Sequence, residues 1–246
     1  MKILVPISKV PDTTAKVSFT DGDSKFNEDG IQWIVNPYDE WYALVRALEI
    51  TEKDGGTVTV INVGPATADA VIRKALALGA HEAVRVDTDP TESYVVAKQI
   101  AEYAKDKNFD LILPGKETID YNGSEVGGMI AEFLGLPFLS LISKLDVNGD
   151  TLTLERSTEA GTEVVEAKLP LVVSASKGMA EQRIPNMRGI MAARSKPLTV
   201  IPPVDVEAKT AYVKYGLPPE KASVRLVDPE NMDELVNLLH TEAKVI

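Results

Sequence analysis

The residues best suited to chemistry lie between Gly115 and Gly128, where the chain reads Gly115-Lys116-Glu117-Thr118-Ile119-Asp120-Tyr121-Asn122-Gly123-Ser124-Glu125-Val126-Gly127-Gly128. This run leaves a short apolar stretch, Asp110 to Pro114, and enters an apolar helical pattern, so it reads as a loop from a strand to a helix N-terminus. Backbone N–H groups there are unpaired and carry partial positive charge, and Gly123, Gly127 and Gly128 allow close approach, so the loop suits a phosphate. The plain alternative is that the glycines permit a turn and tight helix packing. Glu125 acts against a phosphate, because a carboxylate in the first helical turn satisfies the same dipole. A second unusual stretch is Ala180 to Met191, which sets Met187 and Met191 among Arg183, Arg188 and turn residues, just after Met179. Methionines are flexible and polarizable, which suits a docking surface. On these residues alone the simpler alternative is that Ile190 and Met191 open an amphipathic segment packed on a sheet.

Other chemistries are missing from the sequence. There is no G-x-G-x-x-G after the first apolar run, no G-x-x-x-x-G-K-[ST], no H-E-x-x-H and no G-x-S-x-G. The chain has no cysteine, which excludes disulfides, thiolate nucleophiles and iron–sulfur clusters. His81 and His240 stand far apart, so a histidine metal site is not expected, and His81 reads as a surface or packing residue. A formal net charge of −11 argues against a nucleic-acid partner. No apolar run approaches the roughly 18 to 20 residues that cross a bilayer, and Met1-Lys2 leads straight into Ile3-Leu4-Val5-Pro6-Ile7. No membrane insertion and a cytoplasmic location are therefore expected.

The chain that must position these residues has 246 of them, 44% hydrophobic and 26% charged, enough for a sizeable core. Hydrophobic periodicity predicts strands at 3–8, 57–63, 83–87 and 110–114, and helices at about 37–53, 67–79, 92–106 and 124–134. Such alternation predicts an α/β fold with a doubly wound, mostly parallel sheet, whose ligands bind beyond the carboxyl ends of strands at a topological switch point. Asn36 is expected to cap the first long helix, with Pro37 at its first position and Asp39 three residues after the cap. Trp33, Tyr38 and Trp41 would staple that entry to the core. After Pro137 an added β-hairpin is expected, from Leu139–Val147 to Leu152–Glu155 through an Asn148-Gly149 turn, with further strands at Glu163–Lys168 and Leu171–Ser176. Pro197, Pro202, Pro203, Pro218 and Pro219 then precede a short helix at about 231–242. The expected division is an α/β domain over 1–203 and a C-terminal arm over 204–246.

Lys9-Val10-Pro11-Asp12, Asn36-Pro37-Tyr38-Asp39-Glu40, Val63-Gly64-Pro65, Ala75-Leu76-Ala77-Leu78-Gly79-Ala80, Asp110 to Lys116 with Ile119-Asp120, and Ile190-Met191-Ala192-Ala193 follow one another in a telling order. In that order and spacing they resemble the electron transfer flavoprotein β subunit, over about residues 1–203. The resemblance implies one half of a heterodimer whose α subunit carries most of a redox-active FAD site. The pair takes electrons from flavin dehydrogenases, fatty acid oxidation among their settings, and passes them towards a membrane quinone oxidoreductase. The β subunit is then an electron-carrier subunit, not an enzyme, with a structural AMP buried in its nucleotide-binding domain. The AMP contacts carried over are Pro6, Asn36, Pro37, Tyr38, Asp39, Val63, Gly115, Lys116, Asp120, Asn122, Gly123, Ser124, Glu125, Val126 and Gly127.

The resemblance also implies a dehydrogenase recognition loop of Arg183, Ile184, Pro185, Asn186, Met187, Arg188, Gly189 and Ile190, with Met187 in place of an anchoring leucine. Thr13 and Tyr38 take the flavin-edge positions, and Leu235, Leu238 and Leu239 of the arm would pack on the α subunit. Ala192, Arg194 and Ser195 stand where lysines are common, Lys196 remaining, and Ser157 replaces an acidic residue, with Glu159 the nearest substitute. Ser124-Glu125-Val126 replaces amides and hydroxyls, placing an acid beside the phosphate. AMP ranks first for the site, an empty site second and a second FAD third. A competing class is a stand-alone adenine-nucleotide-binding protein of the universal-stress type, for which the methionine loop and the proline-rich arm have no evident use.

Overall fold

The first strand, β1 (Lys2–Pro6), carries Ile3, Leu4 and Val5, all fully buried, in a computed structural model that describes residues 1–90, 92–221 and 223–246. Two small antiparallel ribbons follow: β2 (Lys9–Pro11) pairs with β5 (Trp33–Val35), and β3 (Phe19–Thr20) with β4 (Lys25–Phe26). Alternation then sets in, through α1 (Asp39–Asp54), β6 (Thr57–Gly64), α2 (Asp69–Leu78), β7 (Glu82–Asp87), α3 (Ser93–Ala104), β8 (Leu111–Ile112) and α4 (Val126–Leu134). The strands β9 (Phe138–Asn148), β10 (Thr151–Thr158), β11 (Gly161–Lys168) and β12 (Leu171–Ala175) come next. The chain closes with α5 (Met187–Ala193), β13 (Leu198–Ile201) and α6 (Met232–Leu238).

Nine strands form one sheet in the order β11-β10-β9-β12-β8-β1-β6-β7-β13. From β9 to β13 neighbours run parallel, while β10 and β11 extend the sheet as the antiparallel hairpin. Both faces of the parallel part are covered, so its strands are apolar on both sides. Along β6, Val58 and Val60 pack with Leu44 and Leu48 of α1 and Ile72 of α2, whereas Ile61 and Val63 pack with Ile100 of α3 and Ile130 of α4. That is the period-two alternation of a strand feeding two cores. The chain steps from β1 outwards to β6 and β7, then returns to β8 on the other flank of β1. The switch point therefore lies between the carboxyl ends of β1 and β8, and the run from Gly115 to Gly128 leaves from it.

Three local expectations are corrected. Helix α1 starts at Asp39, two residues after Pro37, and Asn36 does not cap it; Tyr38 stands before the helix with φ of 63° and no side-chain cap bond. Long-range hydrogen bonds have taken the Asn36 side chain elsewhere. In the hairpin Asn148 pairs with Thr151, so the two-residue turn is Gly149-Asp150, entered by Gly149 at φ of 68°. Strand β8 is shorter than the 110–114 expected, because Pro114 has no N–H and single bonds such as Leu113 N–H to the Leu4 carbonyl (2.8 Å) finish the pairing. Within α6 none of the residues is buried, so that helix does not pack on the domain.

Candidate functional site

Asn36 is completely buried at the switch point. Its Nδ2 donates to the Glu117 carbonyl at 2.9 Å and its Oδ1 accepts the Ile119 N–H at 3.0 Å. One side chain thus ties the segment before α1 to the loop after β8, and the pull of these two bonds explains why it is not spent on capping. Gly115 completes the junction: a Cβ there would stand 2.7 Å from the Glu40 backbone nitrogen, so only glycine lets the loop approach the first turn of α1. Lys116 N–H donates to the Ala175 carbonyl at 2.8 Å, fixing the loop to β12 as well. Asn36, Pro37, Asp39, Gly115 and Lys116 are therefore gathered in one place, beside the strand ends at Pro6 and Val63.

The crevice is rich in carboxylates. Glu40, 6% exposed, accepts the Ser8 N–H at 2.6 Å and meets the Ser8 hydroxyl at 2.7 Å. Burial pushes its carboxyl up to about 8 against the pull of the Ser8 bonds, with Asp120 and Asp39 adding to the rise. Burial also raises Asp39, opposed by the charge of Lys116. Lys116 pairs with Glu117 at 2.8 Å, which holds the ammonium up and the carboxyl down. Glu117 also accepts the Ser124 hydroxyl at 2.8 Å, closing the loop on itself. The pairing of Ser8 with Glu40 has no signal in the sequence, because an acid in a first helical turn reads as an ordinary partner of the dipole.

At the far end of the loop, Glu125 precedes α4 and makes no side-chain cap bond, and among the described residues no side chain partners the leading N–H groups of α4. Asn122 and Ser124 hold φ of 50° and 54°, a costly conformation for residues other than glycine. Gly127 faces inward, where a Cβ would meet Pro114 and Phe138 at 3.1 Å, so here the packing alternative accounts for the glycine. Tyr38 is 53% exposed at the crevice rim. Thr13 is exposed too, and the β2–β5 register, Lys9 opposite Val35 and Pro11 opposite Trp33, places it and Tyr38 beyond opposite ends of the ribbon.

The methionine stretch forms a separate feature. Arg183 donates two bonds to the Glu52 carboxylate, at 2.7 and 2.9 Å, and Asn186 caps α5 by accepting the Gly189 N–H at 2.9 Å. Gly189 lies so close to α2 that a Cβ would come within 2.2 Å of the Ala77 carbonyl oxygen. Between these anchors Ile184 is 82% and Met187 72% exposed, with Ile190 and Met191 also open to solvent. The alternative in which Ile190 and Met191 pack on the sheet does not hold, since Ala193 is the buried residue of α5. Lys196 is no free charge: its ammonium donates to the Leu76 and Ala80 carbonyls at the end of α2, and burial lowers its pKa. Among the described residues there is no cluster of metal-ligating side chains and no helix long and apolar enough to cross a membrane.

Fold and topology together define a class, a doubly wound α/β protein with its topological switch point at the carboxyl edge of the sheet. A family model described as an electron transfer flavoprotein domain matches residues 23–206. The chain is 38% identical to the electron transfer flavoprotein subunit beta of Bacillus subtilis (strain 168), with 100% of each chain covered. It is 35% identical to the subunit of that name from Syntrophomonas wolfei, over 94% of this chain and 91% of that one. Against the subunit beta of Bradyrhizobium diazoefficiens it is 34% identical, again over 100% of each. The chain belongs to the electron transfer flavoprotein β-subunit family, which sets it among the flavoproteins of electron transport.

Proposed function

We propose that this chain is the β half of a heterodimeric electron carrier, and that it catalyses no reaction of its own. Its partner α subunit holds most of the site for FAD, which supplies the redox chemistry when bound. The observation that carries this reading is the match to the β-subunit family along the whole chain, together with two separate features at the positions the resemblance assigns. One is the loop of residues 115–127 tied to Asn36, which supports a bound adenine nucleotide, AMP in the first place. Its fit rests on the α4 N–H groups without a side-chain partner and on Glu125, which is exposed and holds no cap bond and so is free to turn away from a phosphate. The other is the apolar loop over 183–190, held by Arg183 and Gly189 with Ile184 and Met187 in solvent, which supports docking to flavin dehydrogenases. A membrane quinone oxidoreductase is the acceptor in this reading. The arm beyond residue 215 exposes Leu217, Val224, Leu226 and Leu235, which supports its packing on the α subunit.

The test is Met187→Ala in the complex with the α subunit, reduced anaerobically by a flavin dehydrogenase. Loss of a central apolar anchor costs about 2 kcal/mol of docking or more, a rise in KM for the dehydrogenase of roughly thirtyfold, with flavin content unchanged. Equal loss of flavin and of electron acceptance would make the loop structural and contradict the docking role.

A further inference from the structure

Residues 204–215 of the arm keep contact with the α/β domain. Val204 exchanges two hydrogen bonds with the Gln99 side chain, each 2.8 Å. The Glu92 carboxylate then accepts the N–H groups of Lys209 and Thr210 and the Thr210 hydroxyl, and the hydroxyl bond is the main reason this carboxyl lies below its usual range. Next comes a row of four rings. Tyr121 and Tyr212 lie 4.9 Å apart between centroids, Tyr212 and Tyr215 5.7 Å, and Tyr215 stacks on Phe19 at 5.1 Å. The Tyr121 and Tyr215 hydroxyls are hydrogen-bonded at 3.1 Å, and Tyr215 N–H donates to the Asp23 carbonyl at 2.8 Å. Among the described residues no hydrogen bond or ion pair joins 216–246 to the domain; Arg225 pairs instead with Glu234 and Glu242 inside the arm.

Tyr121 is the end of this row and a member of the loop from Gly115 to Val126. That loop is held from below by Asn36 and carries unfavourable backbone at Asn122 and Ser124, so it needs support from its outer side. Tyr212 and Tyr215 supply that support from a different part of the chain. Aromatic stacking is geometrically specific, so moving the arm displaces Tyr121, and reshaping the loop displaces the arm. We infer that Tyr212 and Tyr215 are positioning residues for the nucleotide loop, acting through Tyr121, so that binding of an adenine nucleotide and seating of residues 204–215 favour one another. Coupling of this kind is reciprocal by linkage. The inference rests on the nucleotide site proposed above.

The experiment uses the full chain freed of nucleotide, AMP as the probe, calorimetry for affinity and limited trypsin digestion for the arm. In the wild type, saturating AMP slows cleavage after Lys209 and Lys214. Tyr212→Ala weakens AMP binding about tenfold and loses that protection, while Tyr212→Phe, which keeps the ring, restores both. Tyr215→Phe removes only the hydroxyl pair and gives a smaller loss. Wild-type AMP affinity in Tyr212→Ala, or protection by AMP that survives in that variant, would overturn the coupling. If the wild type itself binds no AMP, the titration shows that the nucleotide reading has failed, and the coupling to AMP fails with it.

Discussion

Glutamine at position 40 isolates one charge at the centre of the crevice. The amide reproduces the protonated acid, with Oε1 accepting from Ser8 N–H and Nε2 donating to the Ser8 hydroxyl, so packing is kept while ionisation is removed. Folded Glu40 keeps its proton up to about 8, whereas the unfolded chain gives it up near the ordinary 4.5. Between those values the unfolded state binds fewer protons, so the wild type loses stability as pH rises from 4.5 to 8 and loses no more from this group above 8. Each pH unit of that interval is worth about 1.4 kcal/mol, giving on the order of 5 kcal/mol in all. Urea unfolding of Glu40→Gln and wild type, run side by side from pH 5 to pH 9, reads the difference directly, because the other titrating groups are shared. The variant gains on the wild type steadily across the range and the gain levels off above about pH 8. A difference that stays flat would mean that Glu40 is ionised throughout, and the account of the buried acid would be wrong.

Other perturbations follow from the same contacts. Asn36→Ala removes both bonds to the loop and strands a carbonyl and an N–H, costing about 2 to 3 kcal/mol; denaturant unfolding reads the loss, and AMP binding falls with it. An AMP affinity unchanged in that variant would show that the loop does not depend on Asn36. Gly189→Ala drives α5 away from the Ala77 carbonyl, at a cost of about 1 to 3 kcal/mol. Slower reduction by flavin dehydrogenases at unchanged flavin content is expected, and wild-type kinetics would show that the posture of α5 does not matter. Glu52→Gln breaks the bidentate pair with Arg183 and raises KM for the dehydrogenase rather than lowering kcat, whereas a fall in kcat alone would argue against a docking role.

The parallel sheet and its helices were legible because their signals are local: Val58, Val60, Ile61 and Val63 announce a two-sided strand, and Leu44, Ala47 and Leu48 a helix face. The position of the loop at a strand's carboxyl end was legible for the same reason. What the sequence concealed were choices decided at long range. Asn36 before Pro37 has every mark of a helix cap, yet its partners lie more than 80 residues away at Glu117 and Ile119. Glu40 resembles any acid in a first turn, and nothing in its neighbourhood says that Ser8 will bury it. The exposed methionine stretch could not be told from a packed one by pattern, since Gly189 against Ala77 is what sets α5 on α2 and leaves Met187 outside. Tyr121, Tyr212 and Tyr215 carry no periodic signal at all.

The central claim is that this chain works only as one half of a flavin-bearing pair. It is tested most directly by co-expressing the chain with a flavoprotein α-subunit gene, purifying through a tag on this chain alone, and recording the visible spectrum and the nucleotides released on denaturation. A yellow heterodimer that contains FAD and releases AMP is expected. A colourless protein that purifies by itself and releases ATP would contradict it.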